Sequence, residues 1–563
     1  MRPGRLHHRN MFARIAALCS CLLVFLRGAI ISPGNGQKID PINFRNVAKE
    51  AGIAFVLDNY MTDKKRMIET MPGGVATLDY NNDGLLDIYF TNGSVTPSMK
   101  KEDPKYYNRL YRNDGNMKFT DVTAEAGVAG EGYSMGVAVG DYDNDGNTDI
   151  FVAGVYHNIL YRNLGNGKFE DVTEKSGIKS DKWSVAAGWF DYDNDGYLDL
   201  FVVNYVEWTL QWDRFCGDPT GKIRVYCHPK YFKGVSNTLY HNRGDGTFED
   251  VSDKAGISQY IGRGMGVAFE DYDRDGRIDA FVTNDKLPNF LFKNMGDGTF
   301  KEVGFEAAVA LRENGKAVSS MGAAFQDYDN DGLPDLWMTA LDWETFPLFH
   351  NEGNGIFSDA TYPSRLALLT MRRSAWSLAM VDFNNDGWKD LFTANAHANH
   401  RIELWESTDY RQPNSILANL KNGTFEDVSE QAGQDFQVPR AHRGSACADF
   451  NGDGKIDIVV TAITDDTELW ENVSANRNNW VIFKLEGTKS NRDGIGTQIR
   501  LLNQYNMMTT AVGYASSSSY GVHFGLGATD KLDRVELHWP SGRNQVLRDV
   551  QVNRVIHVKE PDK

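Results

Sequence analysis

Hydrophobic and polar positions repeat along most of the chain in a single pattern. A run of small and apolar residues, such as MGVAVG at 135–140, leads into an acidic segment of nine residues, and a short apolar run follows it. Two aromatic-rich runs around a Gly or Asn turn come next, as in LYRNLGNGKFEDVT from Leu160. Short runs that flank such a turn are typical of β-hairpins. Each repeat therefore predicts a strand, an acidic loop, a strand, a connection, a strand, a turn and a strand.

The acidic segment has the form D-x-[DN]-x-D-G-x-x-D and occurs seven times. Its copies begin at Asp79, Asp141, Asp191, Asp271, Asp327, Asp382 and Asp449. Four strands per repeat predict an all-β protein with a seven-bladed β-propeller, in which the small residues suit a strand near the crowded axis. The last repeat ends at 469–472 without an outer strand, whereas FRNVAKEAGI at 44–53 matches that strand. We expect the N-terminal strand to complete the last blade, because this leaves no open sheet edge.

Two further regions flank the predicted propeller, which spans 40–475. From about Trp480 apolar and polar residues alternate between turns, which predicts a small all-β domain at 478–560. At the N-terminus, basic residues precede an apolar run at 15–26, and we interpret residues 1–32 as a signal peptide. The run is too short to span a bilayer, and the rest of the chain has no transmembrane segment. We therefore expect a secreted, periplasmic or cell-surface protein.

The cysteines agree with export but leave questions open. Cys19 and Cys21 lie within the apolar run, so lipidation and the cleavage site stay undecided. Cys216 and Cys227 are close together in one polar insertion. In an exported protein we expect them to form a disulfide, with two free thiols as the alternative. Cys447 lies among small residues and is expected in the core.

The acidic segments have the composition of sites for a hard cation. Positions 1, 3, 5 and 9 offer side-chain oxygens, position 7 a backbone carbonyl, and the Gly at position 6 permits a sharp turn. An EF-hand would place Glu at position 12 and continue into a helix, but here a strand follows. The segments contain no Cys or His, which disfavours zinc and copper, and crowded oxygens favour Ca²⁺ over Mg²⁺. The predicted metal ligands are Asp79, Asn81, Asp83, Leu85, Asp87, Asp141, Asp143, Asp145, Asn147, Asp149, Asp191, Asp193, Asp195, Tyr197, Asp199, Asp271, Asp273, Asp275, Arg277, Asp279, Asp327, Asp329, Asp331, Leu333, Asp335, Asp382, Asn384, Asp386, Trp388, Asp390, Asp449, Asn451, Asp453, Lys455 and Asp457.

The acidic segments contain many of the carboxylates that make the chain negatively charged. The formal net charge is −17, and 25 carboxylates lie in the seven segments. Up to seven Ca²⁺ ions would offset most of this excess, whereas the alternative is acidic turns that simply face water. An acidic chain also argues against nucleic acid as a partner, because phosphates attract basic surfaces.

The longer connections are expected on the propeller face opposite the acidic loops, at 92–107, 205–236, 340–347 and 395–415. Such loops on a rigid scaffold are the natural place for a ligand. Candidate residues on this face are Lys182, Trp208, Trp212, Arg263, Trp343, Glu344, Arg373, His397, His400, His442 and Arg443. These residues either form a funnel for an anionic or sugar ligand, or pair locally with neighbouring groups. No Ser-His-Asp set, Cys-His set or phosphate-binding loop is recognisable, so we assign no catalytic or cofactor-binding residue.

The acidic segments with their F-x-D-V-T hairpins resemble FG-GAP/VCBS repeats. The tail, with SNRDGIGTQIRL at 490–501, HFGLG at 523–527 and HWPSG at 538–542, looks like an ASPIC/UnbV domain. Together they resemble the cartilage acidic protein 1 family. This resemblance implies an extracellular calcium-binding propeller but no particular reaction. Vertebrate relatives can carry an EGF-like module, for which this chain lacks the cysteines, so we expect a bacterial member.

Three classes of function follow. The preferred one is an exported calcium-binding propeller that acts as a binding or scaffold protein for an extracellular protein or polysaccharide. The alternative is a carbohydrate-active enzyme, a polysaccharide lyase or sugar dehydratase, that uses His397, His400, His442 and Arg443. The third is a structural matrix component without a ligand pocket. An enzyme requires these side chains to converge on one pocket, whereas a binding protein does not.

Overall fold

The computed structural model describes residues 40–179 and 181–562. The predicted signal peptide at 1–32, with Cys19 and Cys21, lies outside these residues. The described residues are almost entirely β structure, which confirms the predicted all-β class. None of the helices among them is long and apolar enough to cross a membrane.

Seven antiparallel groups of four strands, called here sheets 1 to 7 in the order of their acidic loops, form the propeller, and two further strands join sheet 1. Sheet 1 contains Val75–Leu78, Asp87–Phe90, Arg109–Asn113 and Phe119–Asp121. Sheet 2 contains Ser134–Gly140, Asp149–Gly154, Ile159–Asn163 and Phe169–Asp171. Sheet 3 contains Ser184–Phe190, Asp199–Asn204, Thr238–Asn242 and Phe248–Asp250. Sheet 4 contains Gly264–Glu270, Asp279–Asn284, Phe290–Asn294 and Phe300–Glu302. Sheet 5 contains Ala323–Gln326, Asp335–Met338, Leu348–Asn351 and Phe357–Asp359. Sheet 6 contains Ala375–Val381, Asp390–Asn395, Ser415–Asn419 and Phe425–Asp427. Sheet 7 contains His442–Ala448, Asp457–Ala462, Glu468–Asn472 and Phe44–Asn46.

Short helices lie in the connections between strands. The α-helices are Ala48–Ala51, Thr123–Ala126, Thr173–Ser176 and Leu366–Thr370, and the 3₁₀ helices are Met67–Thr70, Pro104–Tyr106, Pro229–Tyr231, Ile402–Leu404 and Gln434–Gln437. The predicted disulfide is present, since the Sγ atoms of Cys216 and Cys227 are bonded. Cys447 is a buried free thiol, as expected for a core residue.

The first strand of a sheet shows why the sequence pattern folds in this way. Ser134–Gly140 is buried along its whole length and pairs with Asp149–Gly154. A Cβ atom on Gly136 would lie 2.3 Å from the carbonyl oxygen of Val185, in the first strand of sheet 3. At this point the first strands of sheets 2 and 3 lie so close together that only glycine fits.

An Asn at the end of each third strand bonds neighbouring sheets together. In sheet 2, Asn163 Nδ2 donates to the carbonyl oxygens of Tyr80 in sheet 1's loop, at 2.8 Å, and of Thr148, at 3.0 Å. Equivalent bonds are made by Asn113, Asn242, Asn294, Asn351, Asn419 and Asn472. Asn113 of sheet 1 donates to the carbonyl oxygen of Phe450 in sheet 7 at 3.0 Å, so the first and last sheets are bonded in the same way.

The fourth strand of sheet 7 comes from the N-terminal side of the chain. Phe44 pairs with Asn472, and Asn46 pairs with Trp470, in antiparallel register. Sheet 7 therefore joins strands that are more than four hundred positions apart in the sequence, and the outer edge of its third strand is paired.

The C-terminal strands form two sheets and one inserted hairpin. The first sheet contains Asn479–Glu486, Val522–Gly527 and Arg554–Lys559, and the second contains Gln498–Leu501, Gln504–Met507, Lys531–His538 and Asn544–Gln551. Between them, Ala511–Val512 and Ser516–Ser518 form the two strands of a hairpin, called here the axial hairpin. Its second strand pairs in parallel with the first strand of sheet 1, where Ser517 lies opposite Ala76.

The axial hairpin lies among the first strands of several sheets. Ser517 Oγ accepts from the Val139 N–H of sheet 2 at 3.2 Å, and Ser518 Oγ accepts from the Cys447 N–H of sheet 7 at 3.0 Å. Ser377 Oγ of sheet 6 accepts from the Tyr514 N–H at 3.1 Å. Because small residues line both partners, the C-terminal region packs into the propeller axis. Residues from Asp40 onward form one compact unit.

Candidate metal centres and the cavity on the opposite face

The acidic loops fold around their own carboxylates. In the second loop, Asp141 accepts hydrogen bonds from the N–H groups of Asp145 at 3.0 Å and Gly146 at 2.8 Å. Gly146 has a φ of 88°, a left-handed conformation that glycine adopts without strain. The turn brings carboxylate oxygens of Asp141, Asp143 and Asp149 within 4.8 Å of one another. These loops therefore have the shape of a cage lined by oxygen atoms.

The Asp at position 9 is buried in every loop. Asp149 is fully buried and accepts from the N–H groups of Tyr142 at 3.2 Å and Asn163 at 2.7 Å. This carboxylate thus connects the loop to the hairpin of the same sheet. Its remaining lone pairs stay available inside the loop.

Several loop carboxylates lack a compensating positive charge. Burial, reinforced by neighbouring carboxylates, raises the pKa of Asp87, Asp191 and Asp327 to about 8. Two buried oxygens in the fourth loop, Asp273 Oδ1 and Asp279 Oδ2, make no hydrogen bond, although the other oxygen of Asp273 is paired with Lys293. Crowded carboxylates with orphaned oxygens fit a bound cation, which would lower these pKa values and occupy the free oxygens. The acidic clusters can therefore hold metal ions.

Side chains from the third strands also reach the loops, and the sequence analysis missed them. His241 Nδ1 lies 3.2 Å from Asp199 Oδ1, and His350 Nδ1 lies 3.1 Å from Asp335 Oδ1. The contact with Asp199 raises the pKa of His241 to about 9, and the hydrogen bond to Asp335 raises the pKa of His350 to about 9. The loops contain no histidine of their own, but the fold brings one beside the third loop and one beside the fifth. The available signal was the histidine of LYHN and LFHN, which precedes the Asn that recurs at the end of the third strands.

The C-terminal sheets contact the acidic loops directly. Asp493 Oδ2 accepts from the Asp141 N–H at 2.8 Å, and Gln498 Nε2 donates to Asp271 Oδ2 at 2.9 Å. The Arg492 N–H donates to Asn144 Oδ1 at 2.8 Å. Part of the acidic-loop face is therefore covered by the chain itself, which leaves the other face more open to partners.

A cavity of about 470 Å³ lies among the connections on the opposite face. Its apolar lining includes Met67, Met71, Met265, Met321 and Trp376, all of them buried. Trp376 is in edge contact with Tyr514 of the axial hairpin, at 5.1 Å between ring centroids. The cavity therefore ends against the hairpin that occupies the axis.

The charged lining of this cavity comes from sheets 4, 5 and 6. Asp285 and Lys286 follow the second strand of sheet 4, Asp342 and Glu344 follow that of sheet 5, and Glu406 follows that of sheet 6. Asp285 accepts from the Tyr205 hydroxyl at 2.7 Å, and Lys286 forms an ion pair with Glu344. A funnel of cationic groups, one of the two interpretations above, does not describe this cavity, because its carboxylates outnumber its ammonium groups.

Only one of the residues considered for catalysis lines the cavity. His397 does so, and its Nε2 lies 3.7 Å from Asp342 Oδ1. His442 is fully buried, with its ring nitrogens 2.9 Å from the Asn395 carbonyl oxygen and 3.1 Å from Glu468 Oε2. His397 therefore lines the cavity, whereas His442 is not among the lining residues and is held by Asn395 and Glu468.

The other two residues of that set are packed between aromatic rings. Arg443 is fully buried and lies 4.2 Å above the ring of Trp376, and its Nε donates to the Thr70 carbonyl oxygen at 2.7 Å. His400 lies against the rings of Tyr226 and Tyr410, and burial lowers its pKa to about 4. Within the described residues, only His397 of these four side chains lines the cavity, whereas Arg443 and His400 contact its lining residues Trp376 and Tyr226.

The remaining candidates of this face have local partners. Lys182 Nζ donates to Thr238 Oγ1 at 3.1 Å, Arg373 pairs with Asp427 at 3.4 Å, and Arg263 donates to backbone carbonyls. Trp208 is buried, and Trp212 packs on Phe232 at 4.2 Å between ring centroids. Local pairing, one of the two interpretations above, describes these residues.

Comparison with known families agrees with the repeat geometry. The FG-GAP-like repeat model matches residues 79–152, 141–202, 225–282, 271–338, 327–393 and 402–460. The chain belongs to the FG-GAP-like repeat family. The ASPIC and UnbV model matches residues 487–563, so both parts of the resemblance are confirmed. FG-GAP-like repeats account for the acidic loops, and the ASPIC and UnbV segment includes the axial hairpin.

The curated relatives carry one name. Cartilage acidic protein 1 of Xenopus tropicalis is 24% identical over 342 residues, which are 57% of this chain and 48% of that protein. Cartilage acidic protein 1 of Homo sapiens is 25% identical over 338 residues, which are 57% of this chain and 47% of that protein. The FG-GAP-like chain thus spans about half the length of the curated relatives it matches.

Solved structures are more distant. An Agrocybe aegerita lectin that recognises non-reducing terminal N-acetylglucosamine is 15% identical, with a TM-score of 0.39 over 70% of this chain and 87% of that chain. YCF48 bound to a D1 peptide is 9% identical, with a TM-score of 0.40 over 71% of this chain and 91% of that chain. Both likenesses are too low to indicate a ligand for this chain.

Proposed function

We propose that this chain is an exported calcium-binding propeller that acts as a binding or scaffold protein for an extracellular protein or polysaccharide. The observation that carries this proposal is the sevenfold acidic loop, in which buried carboxylates crowd together and two oxygens of the fourth loop have no partner. A protein that needed only polar turns would not bury so many carboxylates, because burying an uncompensated charge is costly.

Calcium suits these loops better than other common metals. The donors at positions 1, 3, 5 and 9 are carboxylate or amide oxygens, which hard cations prefer, and their number favours the larger ion. His241 and His350 lie beside two loops but are already engaged by aspartates there. The proposed ligands are those of the seven acidic segments, and up to seven Ca²⁺ ions would bind.

The proposed division of the chain follows the same logic. Residues 1–32 would direct export, 40–475 would form the propeller, and 478–560 the ASPIC/UnbV β domain. The curated relatives are named cartilage acidic protein 1, which supports a location outside the cell. The Cys216–Cys227 disulfide also supports this location, because disulfides form and persist in oxidising compartments.

The partner surface would be the face that carries the connections between second and third strands. The acidic-loop face is partly covered by the C-terminal sheets, as the contact of Gln498 with Asp271 shows. The opposite face has the cavity and exposed aromatic residues such as Trp343, which is 56% exposed. Aromatic side chains with polar neighbours are common in binding surfaces.

A thermal melt with and without EGTA tests the calcium part of this proposal. We expect a large fall in the melting temperature on chelation, and recovery when Ca²⁺ but not Mg²⁺ is added back. An unchanged melting temperature would contradict it. A glycan array and pull-down from extracellular extracts, using the calcium-loaded protein and a Trp343→Ala variant, then test which class of partner the opposite face binds.

A further inference from the structure

The cavity on the opposite face has more negatively than positively charged side chains in its lining. Four carboxylates, those of Asp285, Asp342, Glu344 and Glu406, line it together with a single ammonium group, that of Lys286. The two histidines in its wall do not offset this charge, because burial lowers the pKa of His228 and His397. Burial also raises the pKa of Asp285, but the other three carboxylates still outnumber the one ammonium group, so the lining is negative at neutral pH.

One of these carboxylates is incompletely paired. Asp342 is only 6% exposed, and while its Oδ1 accepts from Ser374 Oγ at 3.2 Å, its Oδ2 makes no hydrogen bond. Leaving a buried carboxylate oxygen unpaired costs free energy that a bound cation would recover. Asp342 is thus an independent indication that the cavity takes a positively charged group.

The rest of the lining selects the kind of cation. An apolar floor is formed by sulfur and aromatic side chains that are each at most 2% exposed, those of Met265, Met321, Trp376 and Tyr205. A hydrated metal ion gains nothing from such a floor, whereas an alkyl chain does. At the mouth, the guanidinium of Arg372 already lies 4.4 Å above the ring of Trp343, which shows that this ring accepts a cation.

We propose that this cavity binds an organic cation, an ammonium or guanidinium group carried on an apolar chain. The charged head lies between Asp342, Asp285 and Glu344, and the apolar chain lies on the methionine and tryptophan floor. The volume of about 470 Å³ is in the range of small-ligand sites. This inference rests on the proposed use of the opposite face for binding and names the chemistry of one ligand there.

Isothermal titration calorimetry of the full calcium-loaded chain tests it with matched probes. Pentylammonium is the cationic probe, 1-hexanol the neutral one and hexanoate the anionic one. Nα-acetyl-lysine methylamide distinguishes a side chain of a partner protein from a free amine. We expect pentylammonium to bind, 1-hexanol to bind at least tenfold more weakly, and hexanoate not to bind.

Variants locate the site. Asp285→Asn and Glu344→Gln keep an acceptor for Tyr205 and for the Ser319 N–H, so the fold should persist, and each should weaken pentylammonium binding about tenfold. Glu406→Gln changes an exposed side chain and is the variant with the least risk of misfolding. Glu313→Gln, an exposed carboxylate outside the cavity, is the matched control and should leave binding unchanged.

Three outcomes would overturn the inference. Equal binding of 1-hexanol would mean a merely apolar cavity, and unchanged affinity in all three cavity variants would place the amine elsewhere. Complete competition by K⁺ or Ca²⁺ would make it an inorganic cation site. Because each titration uses protein whose calcium content has been measured, failure here with calcium retained leaves the scaffold proposal standing, whereas absence of calcium contradicts that proposal by itself.

Discussion

Replacing Tyr514 tests whether the axial hairpin holds the ASPIC/UnbV segment and the propeller together as one cooperative unit. Tyr514 is fully buried, its hydroxyl donates to the Met71 carbonyl oxygen at 2.8 Å, and its ring contacts Trp376 edge-on. Both contacts join the hairpin to the propeller rather than to the C-terminal sheets.

The magnitude follows from these contacts. Tyr514→Phe removes one hydrogen bond and leaves a buried carbonyl unpaired, which costs about 1–2 kcal/mol. Tyr514→Ala also removes the ring and leaves a cavity, and truncation of a buried aromatic residue costs about 3–5 kcal/mol. We therefore expect a graded loss of stability, with about 2–3 kcal/mol between the two variants.

Urea denaturation in calcium buffer, followed by tryptophan fluorescence and far-ultraviolet circular dichroism, measures this loss. The midpoint should fall for both variants while the two probes stay coincident, because one cooperative unit unfolds. Tyr362→Phe, at a residue that is 59% exposed, is the control and should have no effect. Separate transitions in Tyr514→Ala, with the propeller transition unchanged, would refute the claim that the hairpin couples the two parts.

Three further predictions concern other parts of the fold. Asn163→Ala removes the hydrogen bonds to the Tyr80 and Thr148 carbonyl oxygens and should lower the free energy of unfolding, measured by urea denaturation, by about 2–4 kcal/mol. Asn166→Ala in the exposed hairpin turn is the control and should have little effect. Equal effects of the two variants would contradict the claim that Asn163 bonds sheets 1 and 2 together. Burial raises the pKa of Glu560, but hydrogen bonds from Ser541 and from the N–H groups of Lys489, Ser490 and Thr488 outweigh it and hold its pKa at about 2. Stability from this group is present above about pH 4.5 and is lost as the pH falls through about 2, so Glu560→Gln should lose about 2 kcal/mol at pH 7 and less at pH 3; a loss that does not vary with pH would argue against the charge. In calcium-free protein the pKa of Asp87 is raised to about 8, chiefly by burial, so the stability gained by its protonation is present at low pH and lost as the pH rises through about 8. The calcium-free melting temperature should therefore rise between pH 8.5 and 5.5, and Asp87→Asn should reduce that rise; a fall over this range in both proteins would contradict the assignment.

The sheets were predictable because their determinants are local and recur. Each acidic loop, such as the one from Asp141, carries its own turn glycine and its own flanking apolar runs, so the strand order could be read within one repeat. The pairing of Phe44 with Asn472 is not local, but the missing outer strand of the last repeat indicated it. Internal symmetry thus made a long-range contact visible in the sequence.

The axial hairpin and the cavity could not be predicted in this way. Apart from Val512 and Tyr514, residues 511–518 are small, a composition equally typical of an exposed loop, and only the space left by the first strands shows where they fit. The cavity combines Asp285, Asp342 and Glu406 from three different sheets, each in a connection without a repeated pattern. His241 and His350 reach the acidic loops across a hairpin, which the spacing within the loops does not show.

The number of Ca²⁺ ions bound per chain tests the central claim most directly. Elemental analysis of the purified protein, after gel filtration in metal-depleted buffer, gives this number, and the melting temperature of the same sample shows whether the ions stabilise the fold. The account predicts several Ca²⁺ per chain, up to seven, and a large fall in the melting temperature when they are removed. A chain without bound calcium, and with the same melting temperature in EGTA, would contradict it.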